Sequence, residues 1–135
     1  MYICKHFKLY ELLPKSIYKQ HRGWHLFDDR ILMTMDKLRS YFGPIVINDW
    51  KWGGHNQYRG YRPEGCKIGA KYSQHKYGRA IDFVPVSKRV DFIRNFIIVN
   101  NREFPHITTV EMETSWIHID VRNVEPIMKI YPKEK

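Results

Sequence analysis

At 135 residues the chain suits one domain and leaves no room for two cores of ordinary size. Its 43% hydrophobic and 15% aromatic content fills a packed interior and excludes a disordered protein. The net charge of +9 points to an anionic partner: nucleic acid, a membrane surface, or a wall polymer carrying phosphates and carboxylates.

Only two cysteines occur, Cys4 and Cys66, so a disulfide-rich scaffold is excluded and neither thiol has a CxxC partner. Two reduced thiols are expected, with one disulfide between them as the alternative. The stretch from Met1 to Phe7 lacks the apolar core of a signal peptide. No segment reaches the roughly 18–20 apolar residues of a membrane span. The expectation is a soluble product made in the cytoplasm, with no membrane span and a monomeric state.

In chain order, residues 5–20 read as a short strand or extended arm followed by a turn at Pro14, with Tyr10, Leu12 and Leu13 facing inward. Residues 28–42 read as a helix capped by Asp28 or Asp29. Ile31, Leu32, Met35, Leu38 and Phe42 share one of its faces, and Gly43-Pro44 stops it. Ile45-Val46-Ile47 is a buried strand. Residues 53–72 form a long glycine-rich, basic loop of little periodicity, a type of segment that usually serves function.

Residues 80–84 read as a strand ended by Pro85, and Ser87 as the cap of a helix over 88–100. Residues 107–112 and 116–121 read as two strands joined at Glu113-Thr114-Ser115. Residues 128–131 form an edge strand, and 132–135 a charged, frayed tail. No repeat or linker divides the chain.

The chemistry concentrates in Ser73-Gln74-His75-Lys76-Tyr77-Gly78-Arg79-Ala80-Ile81-Asp82 and in Trp116-Ile117-His118-Ile119-Asp120. Alternation along a strand puts Trp116, His118 and Asp120 on one face and Ile117, Ile119 and Val121 on the core side. Asp82, between Ile81 and Phe83, likewise points away from the core. Two adjacent strands would then bring His118 and Asp82 together, with His75 reaching over from the preceding loop. Two imidazoles and one carboxylate are the donor set of a zinc site with an open fourth position. Singly, each residue fits hydrogen-bonded scaffold as well, and Asp82 fits a partner of Arg79. Jointly, three such groups in apolar settings call for a shared partner to offset their burial. Ser73 and Asp120 read as residues that orient the ligands.

The pattern Ser73-x-His75-x-x-Gly78-x-Ala80-x-Asp82, followed by Trp116-x-His118, resembles the zinc D-alanyl-D-alanine carboxypeptidases and related peptidoglycan peptidases. That family shares its fold with the hedgehog signalling domain. The resemblance runs from about residue 47 to 122. It implies a small α+β domain, an antiparallel sheet with helices on one face, and zinc held by His75, Asp82 and His118. It further implies zinc-assisted hydrolysis of a peptide bond in a peptidoglycan stem peptide, by a D-Ala-D-Ala carboxypeptidase or an endopeptidase.

The family places an acid shortly before the Trp-x-His segment, which makes Glu113 the expected general base and Glu111 the alternative. Several relatives carry that acid three residues before the histidine, where this chain has Ser115. Gln57-Tyr58-Arg59-Gly60-Tyr61-Arg62 resembles the family's Ser-Gly-Tyr-Arg segment and makes Arg62 the expected substrate-binding arginine, with Arg59 second. A small basic catalytic unit without a signal peptide also fits a phage lysin.

Two rivals remain at this point: a non-catalytic zinc-containing wall-binding or structural module on the same fold, and a nucleic-acid-binding protein. The second leaves the ordered metal motif unexplained, so nucleic acid is not the expected partner.

Overall fold

The computed structural model describes residues 1–132. Three helices and a five-stranded mixed sheet form a single small α+β domain. The helices are α1 (Lys15–Lys19), α2 (Asp29–Phe42) and α3 (Val90–Val99), and the strands are β1 (Ile45–Val46), β2 (Ala80–Pro85), β3 (Thr109–Glu111), β4 (Ile117–Asp120) and β5 (Met128–Ile130). Strand order is β1-β2-β4-β3-β5.

The expected sheet was antiparallel throughout, and β5 departs from this by running parallel to β3. The cause is topological. Both edges of β4 are occupied, by β2 and β3, so the chain leaving β4 cannot pair beside it. It reverses once over 121–127 and pairs beyond β3, which itself runs opposite to β4.

The helix expected over 28–42 forms with Asp28 as its cap, whose carboxylate accepts from the Arg30 amide at 2.9 Å. Ile31, Leu32, Met35, Leu38 and Phe42 are all buried, and Gly43 ends the helix at φ 78°. They share one apolar cluster with Ile93 and Ile97 of α3 and with Ile81, Phe83, Val110, Ile117 and Ile119 of the sheet. Burying these faces together is the main driving force for the fold. It also leaves the opposite side of β2 and β4 for polar groups.

Other expectations shift. The arm over 5–20 is not a strand: a 3-10 turn at Leu9–Glu11 precedes α1, and Pro14 starts that helix at φ −62°. A fixed φ of that size suits the first turn of a helix. Leu12 and Leu13 are buried as expected, while Tyr10 is half-buried. Ile47 is buried but lies beyond β1. Ser87 caps nothing, because α3 begins at Val90 behind Arg89 with no side-chain cap. Of the tail expected over 132–135, residues 133–135 lie outside the described residues.

Both cysteines are free. Burial, with the Asp36 charge adding to it, pushes the Cys4 thiol well above its ordinary range. Asp36, a buried acid of α2, accepts from Tyr2 Oη at 2.6 Å and from the amides of Lys5 and His6 at 2.8 and 3.0 Å. These bonds fasten the N-terminal segment to the core helix. No helix among the described residues is long and apolar enough to cross a membrane.

Candidate metal centre

The register of β2 against β4 sets Asp82 directly opposite His118, with Ile81 opposite Ile119 on the core side. The two strand residues therefore meet on the polar face, at 2.7 Å between Asp82 Oδ1 and His118 Nδ1. His75 arrives from a 3-10 turn, Gln74–Tyr77, which begins at Ser73 and ends at Gly78. Its Nδ1–H donates to the Gly60 carbonyl at 2.8 Å, which aims Nε2 at Asp82 Oδ1, 3.2 Å away. The ligand atoms of His75, Asp82 and His118 all lie within 4.8 Å of one another, and all three residues are buried.

The outward nitrogens are also occupied. His118 Nε2 faces Asp120 Oδ2 at 2.8 Å, and Asp120, fully buried, accepts from Arg122 Nε at 2.8 Å. Each imidazole thus uses one nitrogen to fix its ring and turns the other towards Asp82. This is the arrangement that orients histidines around a metal. Burial disfavours charge on His118, but its bonds to Asp120 and Asp82 outweigh that and raise its pKa to about 9. Burial alone would raise Asp82. The neighbouring His75 and His118 overcome it and hold the carboxyl well below the usual carboxylate range. Two imidazoles and one carboxylate converge on one point, and a divalent cation with nitrogen and oxygen ligands fits that donor set.

Arg62 completes the floor. Its Nε donates to the Tyr58 carbonyl at 2.8 Å, and its Nη2 lies 3.4 Å from Asp82 Oδ2. Arg59, the second candidate, does not join it: its guanidinium turns to the Ile47 carbonyl at 3.2 Å, and only its backbone carbonyl serves the site, accepting from the Asp82 amide at 2.8 Å.

The cluster opens into a cleft of about 1150 Å³ whose lining includes Arg62, Tyr72, Glu111, Glu113, Trp116 and Arg122. The two candidate acids differ in position. Glu111, half-buried at the end of β3, places Oε1 4.0 Å from His118 Nδ1. Glu113 is exposed on the turn, in the left-handed region at φ 59°, and forms no hydrogen bond or ion pair with the three ligands.

Arg94 was not legible as a site residue. Buried on α3, it donates through Nη2 to the Thr114 carbonyl and hydroxyl and to the Trp116 carbonyl, at 2.8 to 2.9 Å. It thereby holds the turn that leads into His118. An arginine on the inner face of a helix carries no motif, and only its position beside Ile93 and Ile97 marks it. Arg94→Met should cost about 2 kcal/mol by freeing those acceptors. The loss is moderated because Arg94 Nε, itself buried without a partner, disappears with it. A thermal melt should fall by roughly 6 °C; an unchanged melt would mean that the turn holds itself.

Arg122 was also unanticipated, although strand alternation from His118 through Asp120 leads to it. His55 does not line the cleft, nor do Trp50, Trp52, Tyr58 or Tyr61. No family model, curated protein or solved structure matches this chain.

Proposed function

We propose that the chain is a zinc-dependent peptidase of the hedgehog/DD-peptidase type that hydrolyses peptide bonds in peptidoglycan stem peptides. The observation that carries this reading is the convergence of His75 Nε2, Asp82 and His118 Nδ1 within 4.8 Å on the floor of an open cleft, with Arg62 beside them. Zinc held by such a set supplies a Lewis acid for amide hydrolysis. The remaining work falls to the chain. The Arg62 fork, positioned by Tyr58 and Ser73, receives a substrate carboxylate or a polarised carbonyl. Glu111 and Glu113 are the cleft carboxylates available to accept a proton from water and return it to the leaving amine. A carboxypeptidase removing a terminal D-Ala and an endopeptidase cutting within the stem both use this layout, and release as a phage lysin suits the basic charge.

A second reading, a zinc-holding wall module without hydrolysis, is favoured by Ser115 in place of an acid and by the exposed position of Glu113.

Digestion of defined muropeptides, followed by mass spectrometry with and without a chelator, tests both. Chelator-sensitive loss of one D-Ala identifies a carboxypeptidase, and a chelator-sensitive cut inside the stem identifies an endopeptidase. Stoichiometric zinc with no product from any fragment would replace the enzyme by the module.

A further inference from the structure

Away from the metal cleft, four aromatic rings gather on one surface. Tyr10 meets Trp52 at 5.8 Å between centroids and Tyr18 at 6.1 Å, and Tyr18 meets Trp50 at 5.8 Å. None of the four lines the cleft. Trp52 is 64% exposed, which leaves much of the largest apolar side chain in contact with water.

The face is held rigidly. Trp50 Nε1 donates to the Leu13 carbonyl at 2.8 Å, and the Asn48 amide bonds to the Glu11 carbonyl at 3.0 Å, so the segment bearing Tyr10 and Tyr18 cannot slide past the one bearing the tryptophans. Charge follows the rings. Lys51 Nζ lies 5.5 Å from the centroid of the Tyr10 ring, and exposed Lys15 stands one turn before Tyr18 on α1. Among the described residues neither lysine forms an ion pair. The acid nearest in sequence to Lys51, Asp49, is consumed internally: its two oxygens accept from the Asn56 amide and side chain at 2.8 and 2.9 Å. The surface is therefore aromatic, rigid and cationic.

We propose that this face binds the glycan strand of the same anionic wall polymer whose peptides the cleft takes, a proposal that rests on the function inferred above. A pyranose ring offers a flat face of C–H groups that packs on an exposed indole, and the carboxylates along such a polymer match Lys15 and Lys51. Single-stranded nucleic acid shares the charge but suits the rings less well. Successive bases need several open ring faces side by side. Here Tyr10 meets its neighbours edge-on, at 87° and 83°, and Trp52 alone of the four is largely exposed. The surface tethers the enzyme to its polymer independently of the metal site.

The test uses the full chain and purified sacculi as the probe. Trp52→Ala and Lys51→Glu should each weaken co-sedimentation with sacculi about tenfold, with zinc content and thermal melt unchanged. Hydrolysis of small soluble muropeptides should be the same for these variants and wild type. Undiminished sacculus binding by both variants overturns the proposal, as does competition by a single-stranded oligonucleotide at lower concentration than soluble glycan fragments. If wild type binds sacculi through Trp52 but cuts no muropeptide, the glycan surface stands and the peptidase reading falls. If it cuts muropeptides with no dependence of sacculus binding on either residue, the reverse holds.

Discussion

Asp82→Asn is expected to abolish stoichiometric zinc binding and to destabilise the metal-free protein. Asparagine matches the volume of aspartate, so neither a cavity nor a steric clash confuses the outcome. What disappears is the one negative charge that faces Arg62, His75 and His118 together. As a ligand, a neutral amide is a far weaker donor to a divalent cation than a carboxylate. The loss of affinity should exceed the 10- to 100-fold that follows removal of an outer-shell partner. As a structural element, Asp82 is the counter-ion of Arg62 and His118, both largely buried. Removing Asp82 leaves buried Arg62 without its carboxylate and His118 with Asp120 alone, and should cost roughly 3 kcal/mol. Zinc content after dialysis and a thermal melt in chelator read the two effects separately. An Asp82→Asn protein that still holds one zinc at wild-type affinity would show that the cation sits elsewhere.

The variant also distinguishes what was legible in the sequence from what was not. Asp82 and His118 could be read because strand alternation is a local rule, and Ile81, Phe83, Ile117 and Ile119 declare which face belongs to the core, while His75 could be read from its place in the turn just before β2. Helix α2 could be read for the same reason: its cap, its apolar stripe and Gly43 all lie within one continuous segment. What escaped depends on contacts between distant segments. The parallel pairing of β5 follows from which strand edges are already taken, and Arg94 matters only because the 114–116 turn lies against α3. The contrast between Arg62 and Arg59 is similar. Both belong to one basic stretch, and only their partners in the folded chain tell them apart: Tyr58, Ser73 and Asp82 for Arg62, the Ile47 carbonyl for Arg59.

Gly78→Ala is expected to be among the most damaging single substitutions outside the ligands. In the structure this glycine lies tight against the segment that leads into α2. A Cβ on Gly78 would overlap the Leu26 carbonyl and lie 2.8 Å from Phe27 Cα, and the Asp28 amide donates to the Gly78 carbonyl at 2.9 Å. Gly78 also adopts φ 65°, which costs a residue with a Cβ about 1 kcal/mol. The overlap is with backbone that cannot rotate away, so overpacking adds a further 1–3 kcal/mol. A total of about 3 kcal/mol lowers the melt by roughly 10 °C in a domain of this size. Relief by displacement would move the turn that carries His75, so zinc affinity should fall along with stability. Gly78→Asn separates the two causes, because asparagine tolerates the left-handed region but meets the same carbonyl. Equal damage from both substitutions assigns the effect to the close approach. A well-tolerated Gly78→Asn would leave backbone conformation as the whole cause, and α2 would then have no part in setting the position of His75.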